Sequence, residues 1–163
     1  MNDQAHKPRS RRWLFALLAA VVALGVAFVA GMWFADRGER AVAAVTESYA
    51  GAYEGLDTTK DVPALLPLYA PEAVLHDAAT DRTYRGTSEI ENALNALLAT
   101  PDFDLTIERT LAGDSWALVF WTADGMRPDL DRVAQVVGVT SLEVSEGTIE
   151  RETWYYDPAK APF

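Results

Sequence analysis

The sequence contains no cysteine and only two histidines among its 163 residues. Without cysteine the chain has no disulfide, no thiolate zinc site and no cysteine nucleophile. One of the two histidines, His6, lies in a basic tail, so a metal site built with His76 and a second histidine is not expected. The sequence also lacks a nucleophilic serine elbow and a phosphate-binding loop. We therefore expect no bound metal and no cofactor.

Positive charge is scarce in most of the chain. Beyond residue 34 there are 10 Lys and Arg against 23 Asp and Glu, a formal charge of −13. Residues 1–12 are different, with four basic residues and one acidic residue. Because an acidic surface repels nucleic acid and anionic lipid headgroups, we expect no nucleic-acid partner.

A long apolar run is present near the amino terminus. Residues 13–34 form 22 consecutive positions without a charge, which is long enough to cross a hydrocarbon layer of roughly 30 Å. A basic tail, residues 1–12, precedes this run, and a short charged linker, residues 35–40, follows it. The positive-inside rule then predicts a single-pass protein of the cell membrane, with a cytoplasmic amino terminus and an extracytoplasmic domain.

The alternative for the same segment is a cleaved signal peptide. Ser10 to Phe15 has a twin-arginine pattern, and Ala41 to Ala43 has the composition of a cleavage site. The apolar run, however, exceeds the usual signal core of about 7 to 15 residues, and charged residues separate it from those alanines. An uncleaved anchor is the favoured interpretation.

The rest of the chain has helical patterns first and strand patterns last. Apolar residues at spacings of three and four predict a helix over residues 41–56, and Asp61 is predicted to cap a short helix that ends before Pro71. A strand over Ala73 to Asp77, a pairing segment around Tyr84 and a helix capped by Thr87 are expected next. Four more strands are predicted at Leu105 to Leu111, Trp116 to Ala123, Val133 to Val144 and Thr148 to Tyr156. This order indicates an α+β fold.

Several short motifs in this order resemble a known family. They are Leu68 to Val74 (LYAPEAV), His76-Asp77, Arg85-Gly86, Gly147-Thr148-Ile149 and Tyr155-Tyr156-Asp157. Together they resemble the SnoaL-like polyketide cyclase group of the nuclear-transport-factor-2-like superfamily over residues 41–158, leaving residues 159–163 as a tail. The resemblance implies a cone-shaped, curved antiparallel or mixed sheet wrapped around helices, with an apolar pocket into which His76 points. Because relatives include isomerases, cyclases, dehydratases, epoxide hydrolases and binding domains, the fold alone does not give the function.

Two residues are candidates for acid–base catalysis. His76 could exchange protons with a substrate, but adjacent strand residues face opposite sides, so its carboxylate partner would come from a strand other than that of Asp77. Strict alternation along the last strand places Glu152 on one face with Trp154 and opposite Ile149. A glutamate beside a tryptophan could have a raised pKa and act as an acid or base, although a solvated acidic stripe on a partly exposed sheet is the slightly favoured interpretation.

Two functions therefore remain open. The first is a membrane-anchored module that binds a small, mostly apolar molecule or a partner protein, with a homodimer through the sheet as a further option. The second is a cofactor-free lyase, isomerase or cyclase-type enzyme that uses His76 and an inward carboxylate. The predicted ligand-binding residues are Tyr53, His76, Trp116, Glu152 and Trp154. The loop from Asp77 to Arg85 is a further candidate for a polar ligand group, although loops of this composition are usually just solvated.

Overall fold

The computed structural model describes residues 38–56, 58–59, 61–127 and 132–163. The predicted basic tail and membrane segment lie outside these ranges, as do residues 35–37 of the predicted linker. In the described ranges, no helix has the length and apolar character needed to span a membrane. Residues 38–163 form one compact unit, which is described below.

The first helix, α1, covers residues 38–56, and residues 58–59 are also helical. Its buried face repeats every three or four residues, as predicted, and consists of Val42, Val45, Tyr49, Tyr53 and Leu56. The single short helix predicted after Asp61 is wrong. Two 3-10 turns replace it, at Val62–Ala64 and Leu66–Leu68, each with a proline in its first two positions. Proline lacks an N–H and clashes with the carbonyl four residues earlier, so Pro67 prevents one continuous α-helix.

The second helix, α2, spans Gly86–Leu98, so Thr87 lies inside the helix and the prediction that Thr87 caps it is wrong. No side chain caps its first residue. Instead, the Glu89 carboxylate accepts a hydrogen bond at 2.8 Å from the backbone N–H of Arg85, as the glutamate of a capping box does. The buried face consists of Ile90, Ala93, Leu94, Leu97 and Leu98.

Six strands form one mixed sheet in the order β2-β1-β6-β5-β4-β3. Their bounds are β1 Tyr69–Asp77, β2 Arg82–Arg85, β3 Asp104–Ala112, β4 Trp116–Arg127, β5 Arg132–Ser145 and β6 Thr148–Tyr156. Strands β1 and β6 pair in parallel and the other neighbours are antiparallel. The predicted strands are confirmed, and β1 begins four residues before the predicted Ala73. The segment around Tyr84 does pair back onto β1, through Leu75.

Two local features shape the inner face of the sheet, a register shift and an indole packed on a glycine. The register between β5 and β6 shifts between Ile149 and Arg151, so Ile149 and Glu152 are both fully buried, which corrects the strict alternation expected from the sequence. On β4, the indole of Trp121 lies across Gly138 of β5, where an added Cβ would come within 2.2 Å of the ring. Glycine at 138 therefore allows Trp121 to lie flat inside the domain.

Candidate functional site

A buried carboxylate lies at the centre of the domain. Glu152 has no solvent exposure, and its two oxygens accept hydrogen bonds from three side chains. The hydroxyls of Tyr49 and Tyr69 each bind one oxygen, and the Trp154 indole N–H donates to the first oxygen at 2.5 Å. These donors come from α1, β1 and β6, so the carboxylate connects the helix to two neighbouring strands.

Burial dominates the electrostatics of this group. Desolvation raises the pKa of Glu152 above its ordinary value, and the three hydrogen bonds oppose that rise. Desolvation and the nearby carboxylate also raise the pKa values of Tyr49 and Tyr69, so both phenols keep their protons. All three donors are neutral side chains, and together they occupy the carboxylate.

A small cavity lies beside this cluster. Its volume is about 20 Å³, which is room for one water molecule. Its lining residues are Tyr49, Tyr53, Leu97, Leu105, Ile107, Trp121, Thr140, Trp154, Tyr156 and Phe163. Six of these ten residues are aromatic, so most of the cavity wall is apolar.

The polar groups around this small cavity differ in whether they have hydrogen-bond partners. The Thr140 hydroxyl accepts a hydrogen bond at 3.0 Å from the Trp121 indole. The Tyr53 hydroxyl is buried and has no hydrogen-bond partner among the described residues. Tyr49 and Tyr69 lie close enough to affect the pKa of Tyr53; each gives its single proton to Glu152, and its oxygen keeps lone pairs able to accept another.

A large cavity adjoins the small one. Its volume is about 320 Å³, within the range of pockets that hold small organic molecules. Its lining residues are Asp77, Thr80, Arg82, Tyr84, Ala93, Ala96, Leu97, Trp154, Tyr156 and Phe163. The two cavities share Leu97, Trp154, Tyr156 and Phe163. The large cavity therefore combines apolar walls with polar residues at the end of β1 and the start of β2.

Asp77 organises the polar side of the large cavity. Its carboxylate accepts hydrogen bonds from the backbone N–H of Ala79 at 3.0 Å and from the Thr80 hydroxyl at 2.6 Å. The same carboxylate accepts a hydrogen bond at 2.9 Å from the Tyr156 hydroxyl. Burial, together with this bond and the charge of Asp77, raises the pKa of Tyr156. Tyr156 is therefore a fixed, protonated phenol at the boundary between the two cavities.

His76 lies on the other side of the sheet. Ala73, Leu75 and Asp77 are the buried residues of this part of β1 and point inward, which places His76 outward. Its ring Nδ1 lies 3.2 Å from the Arg82 carbonyl oxygen and 3.2 Å from the Thr83 hydroxyl. His76 lines neither the large nor the small cavity, so the expectation that it points into the cone is wrong.

The other predicted site residues divide into two groups. Tyr53 and Trp154 line the small cavity, and Trp154 also lines the large one. Glu152 lies behind that wall, where Tyr49 and Trp154 cover it. Trp116 is 47% exposed and lines neither cavity; it packs on Gly113, where an added Cβ would come within 2.6 Å of its indole. A role for Trp116 in lining these cavities is not supported.

The prediction from sequence missed Phe163 and the pairing of Asp77 with Tyr156. Phe163 lies in the segment treated as a tail, but its ring is 5.3 Å from that of Tyr156 and 6.1 Å from that of Phe103, centroid to centroid. The next-to-last residue, Pro162, packs against Gly125 of β4. No pattern in residues 159–163 predicted that this segment packs against the rest of the domain. For Asp77 the sequence did contain a signal. Ala73, Leu75 and Asp77 alternate along β1, so Asp77 lies on the same face as the two apolar residues.

Among the described residues, no group of three or more histidine and acidic side chains is arranged to hold a metal ion. The acidic side chains near the cavities, Asp77 and Glu152, are instead occupied by neutral donors of the protein itself. The arrangement therefore offers shape, apolar contact and hydroxyl groups to a ligand.

Comparison with known proteins agrees with this architecture. The SnoaL-like domain family matches residues 45–152 of the chain. A search among curated proteins gives no match. Similar solved structures include a Catenulispora acidiphila protein with a ketosteroid isomerase-like fold, solved in complex with trimethylamine. It shares 18% identity and has a TM-score of 0.62, over 71% of this chain and 87% of that one.

Two further structures have the same fold. One is a protein from Shewanella putrefaciens that is assigned to the SnoaL-like polyketide cyclases. It shares 18% identity with a TM-score of 0.56, over 70% of this chain and 90% of that one. The other is an LEH-like epoxide hydrolase from M. tuberculosis, at 18% identity and a TM-score of 0.57, over 74% and 84% of the two chains. At these identities the likeness shows the fold, an α+β nuclear-transport-factor-2-like domain with a curved mixed sheet.

Proposed function

Because the chain belongs to the SnoaL-like domain family, we propose that its domain binds a small, mostly apolar molecule in the large cavity. The observation that carries this proposal is the cavity itself, about 320 Å³ with Leu97, Trp154 and Phe163 on its apolar side and Asp77 and Arg82 on its polar side. Members of this fold class include one solved with a bound trimethylamine, which is consistent with a ligand inside the domain.

The same geometry does not support the enzyme hypothesis based on His76 and Glu152. A proton-transfer pair needs both groups within reach of one substrate. His76 is on the outer face of β1, while Glu152 is fully buried and bound by three donors on the inner side. No single substrate in the large cavity reaches both groups. The structure therefore favours binding over catalysis by this pair.

Filling the large cavity should weaken binding strongly. Ala96 lines the cavity from an exposed position on α2, so Ala96→Trp places an indole in the ligand's space without disturbing the buried face of the helix. We expect the dissociation constant of a probe such as acetophenone to rise at least tenfold, measured by titration calorimetry on the full-length chain.

The matched control for this experiment is Asn92→Trp. Asn92 is also exposed on α2 but does not line the cavity, so its affinity for acetophenone should equal that of the wild type. Equal affinities in the wild type and the Ala96→Trp variant would show that the large cavity is not the site.

The membrane anchor is the second part of the proposal. Its support is the uncharged run at residues 13–34 and the basic residues before it. The domain is then held at the outer surface of the membrane, where it can exchange apolar molecules with the lipid layer. Protease added to intact cells should remove the domain, and protection until the membrane is opened would contradict this orientation.

For the protein partner, we propose a second copy of the chain, docked through the outer face of the sheet. This face exposes apolar side chains on three strands, with Val137 68%, Tyr155 49% and Leu111 47% exposed. Sedimentation of the wild type should then show a dimer that Val137→Glu dissociates, because a charge at the centre of an apolar interface is left without a partner. A wild type that stays monomeric at high micromolar concentration would exclude this interface.

A further inference from the structure

The Arg82 side chain is a positive charge at the polar end of the large cavity. Arg82 lines this cavity from the first position of β2. It lies directly opposite Asp77 in the antiparallel pairing of β1 with β2, so both side chains leave the sheet on its inner face. In the part of the chain that the structure describes, no ion pair or hydrogen bond joins the Arg82 guanidinium to Asp77.

Asp77 is not free to pair with Arg82, because its carboxylate is already hydrogen-bonded to other groups. The backbone N–H groups of Ala79 and Thr80 donate to one oxygen, and the hydroxyls of Thr80 and Tyr156 donate to the other. These bonds hold the carboxylate at the turn that follows β1. The guanidinium therefore keeps its N–H donors for water or for a ligand.

The charge of Arg82 acts inside the large cavity. Burial and the hydrogen bond to Asp77 raise the pKa of Tyr156, and the positive charge of Arg82 opposes this rise. The guanidinium therefore lies on the side of the cavity where Tyr156 lies. Tyr84, two residues after Arg82 on the same strand, also lines the large cavity and brings a second polar side chain to this end.

The chemistry of the guanidinium determines which ligand group complements this end. It is planar and always charged, and its parallel N–H donors match the two oxygens of a carboxylate. An ammonium group of a ligand would instead meet the charge of Arg82 and find the oxygens of Asp77 already bound. The facing wall, from Ala93, Ala96 and Leu97 of α2, is apolar. An apolar body that ends in a carboxylate complements both sides of the cavity.

We propose that Arg82 binds the carboxylate of an organic acid whose apolar body occupies the large cavity, against Leu97, Trp154 and Phe163. This inference rests on the proposed function, because it assumes a ligand in that cavity, and it adds the chemical class of the ligand. The acidic excess of the domain does not exclude such a ligand, since salt screens charges that lie more than about 8 Å away.

Three probes of nearly equal shape test this proposal. Benzoate carries a carboxylate, acetophenone has a neutral acetyl group in its place, and benzamidinium has a planar cation there. Dissociation constants are measured by titration calorimetry on the full-length chain in one non-ionic detergent, at pH 7 and low salt. Partition of each probe into micelles then cancels when variants are compared. The quantity of interest is the preference for benzoate over acetophenone in each variant.

Arg82→Gln removes the charge and keeps a polar side chain. Because Arg82 is exposed, water screens its ion pair with the ligand. We therefore expect the preference for benzoate over acetophenone to fall about five- to tenfold, between the effect of an exposed ion pair and that of a buried charged hydrogen bond. Raising the salt concentration to about 0.5 M should lower the same preference in the wild type but not in Arg82→Gln.

The matched control is Arg85→Gln, which removes the same charge from the same short strand. Arg85 is exposed and does not line the large cavity. Its preference for benzoate over acetophenone should therefore equal that of the wild type. An equal fall in both variants would mean that only the overall charge of the domain matters, which contradicts the role of Arg82.

Two other results would overturn the inference and leave the proposed function intact. The first is an unchanged preference in Arg82→Gln while benzoate and acetophenone still bind, which shows that Arg82 does not contact the acid. The second is tighter binding of benzamidinium than of benzoate to the wild type, which shows that the cavity selects cations. Failure of all three probes to bind the wild type contradicts the proposed function as well.

Discussion

Replacing Glu152 by alanine should lower the free energy of unfolding by about 3 to 5 kcal/mol. The substitution removes the acceptor for Tyr49, Tyr69 and Trp154 at once, and each buried donor left without a partner costs about 1 to 3 kcal/mol. Relief of the carboxylate's own burial offsets part of this loss. The measurement is urea unfolding followed by tryptophan fluorescence, since Trp154 is one of the affected groups.

The matched control is Glu150→Ala. Glu150 lies two residues away on the same strand and is exposed, so its loss should change the free energy of unfolding by less than about 0.5 kcal/mol. If both variants unfold at the same urea concentration as the wild type, Glu152 does not hold the helix and strands together. The cluster would then be incidental to the stability of the domain.

The contribution of Glu152 to the stability of the wild type should fall as the pH rises above about 4.5, the ordinary pKa of a glutamate. Burial raises the pKa of Glu152 in the folded state, so the folded protein keeps this proton at a pH where the unfolded chain has released it. The folded state then binds more protons, and the linkage relation gives a negative slope of stability with pH, at most about 1.4 kcal/mol per pH unit for one group. The slope ends once the pH exceeds the raised pKa.

Glu152→Gln isolates this contribution. Glutamine keeps the size of the side chain and cannot ionise, so the component of the slope due to Glu152 should disappear in this variant. The comparison is the difference between the two stability curves from pH 4 to 8, because the other carboxylates contribute equally to both. Parallel curves would mean that the pKa of Glu152 is not raised by burial.

Much of the fold could be predicted from the sequence because its signals are local. The helical spacing of Val42, Val45 and Tyr49 defines the buried face of α1, and the turn at Gly147 separates the last two strands. The short helix predicted after Asp61 does not form because the segment contains two prolines. Pro63 and Pro67 lie four residues apart, the spacing at which an α-helix needs a hydrogen bond that the second proline cannot donate.

The candidate site was only partly predictable, because it depends on contacts between distant residues. Glu152 and Trp154 were correctly placed on one face of β6, and the proximity of a tryptophan to the carboxylate was anticipated. The other two donors, Tyr49 and Tyr69, lie 103 and 83 residues away along the chain. No local pattern shows that these phenols meet one carboxylate.

The inward placement of His76 was taken from the family resemblance, and the strand parity of β1 contradicts it. A histidine at the end of an apolar strand suggests a pocket, but Ala73 and Leu75 already fix which residues of β1 point inward. Asp77 follows that parity and lies at the large cavity. The bulge in β6 could not be anticipated in the same way, because it arises from pairing with β5 and not from the sequence of β6 alone.

In the proposed complex, a small apolar molecule binds between α2 and the inner face of the sheet. Nuclear Overhauser effects between acetophenone and the side chains of the full-length protein report this position. We expect cross-peaks from the probe to the ring protons of Trp154 and Tyr156 and to the methyl groups of Leu97, which line the large cavity. Cross-peaks to the His76 imidazole or to Val137, on the outer face, with none to Trp154, would contradict it.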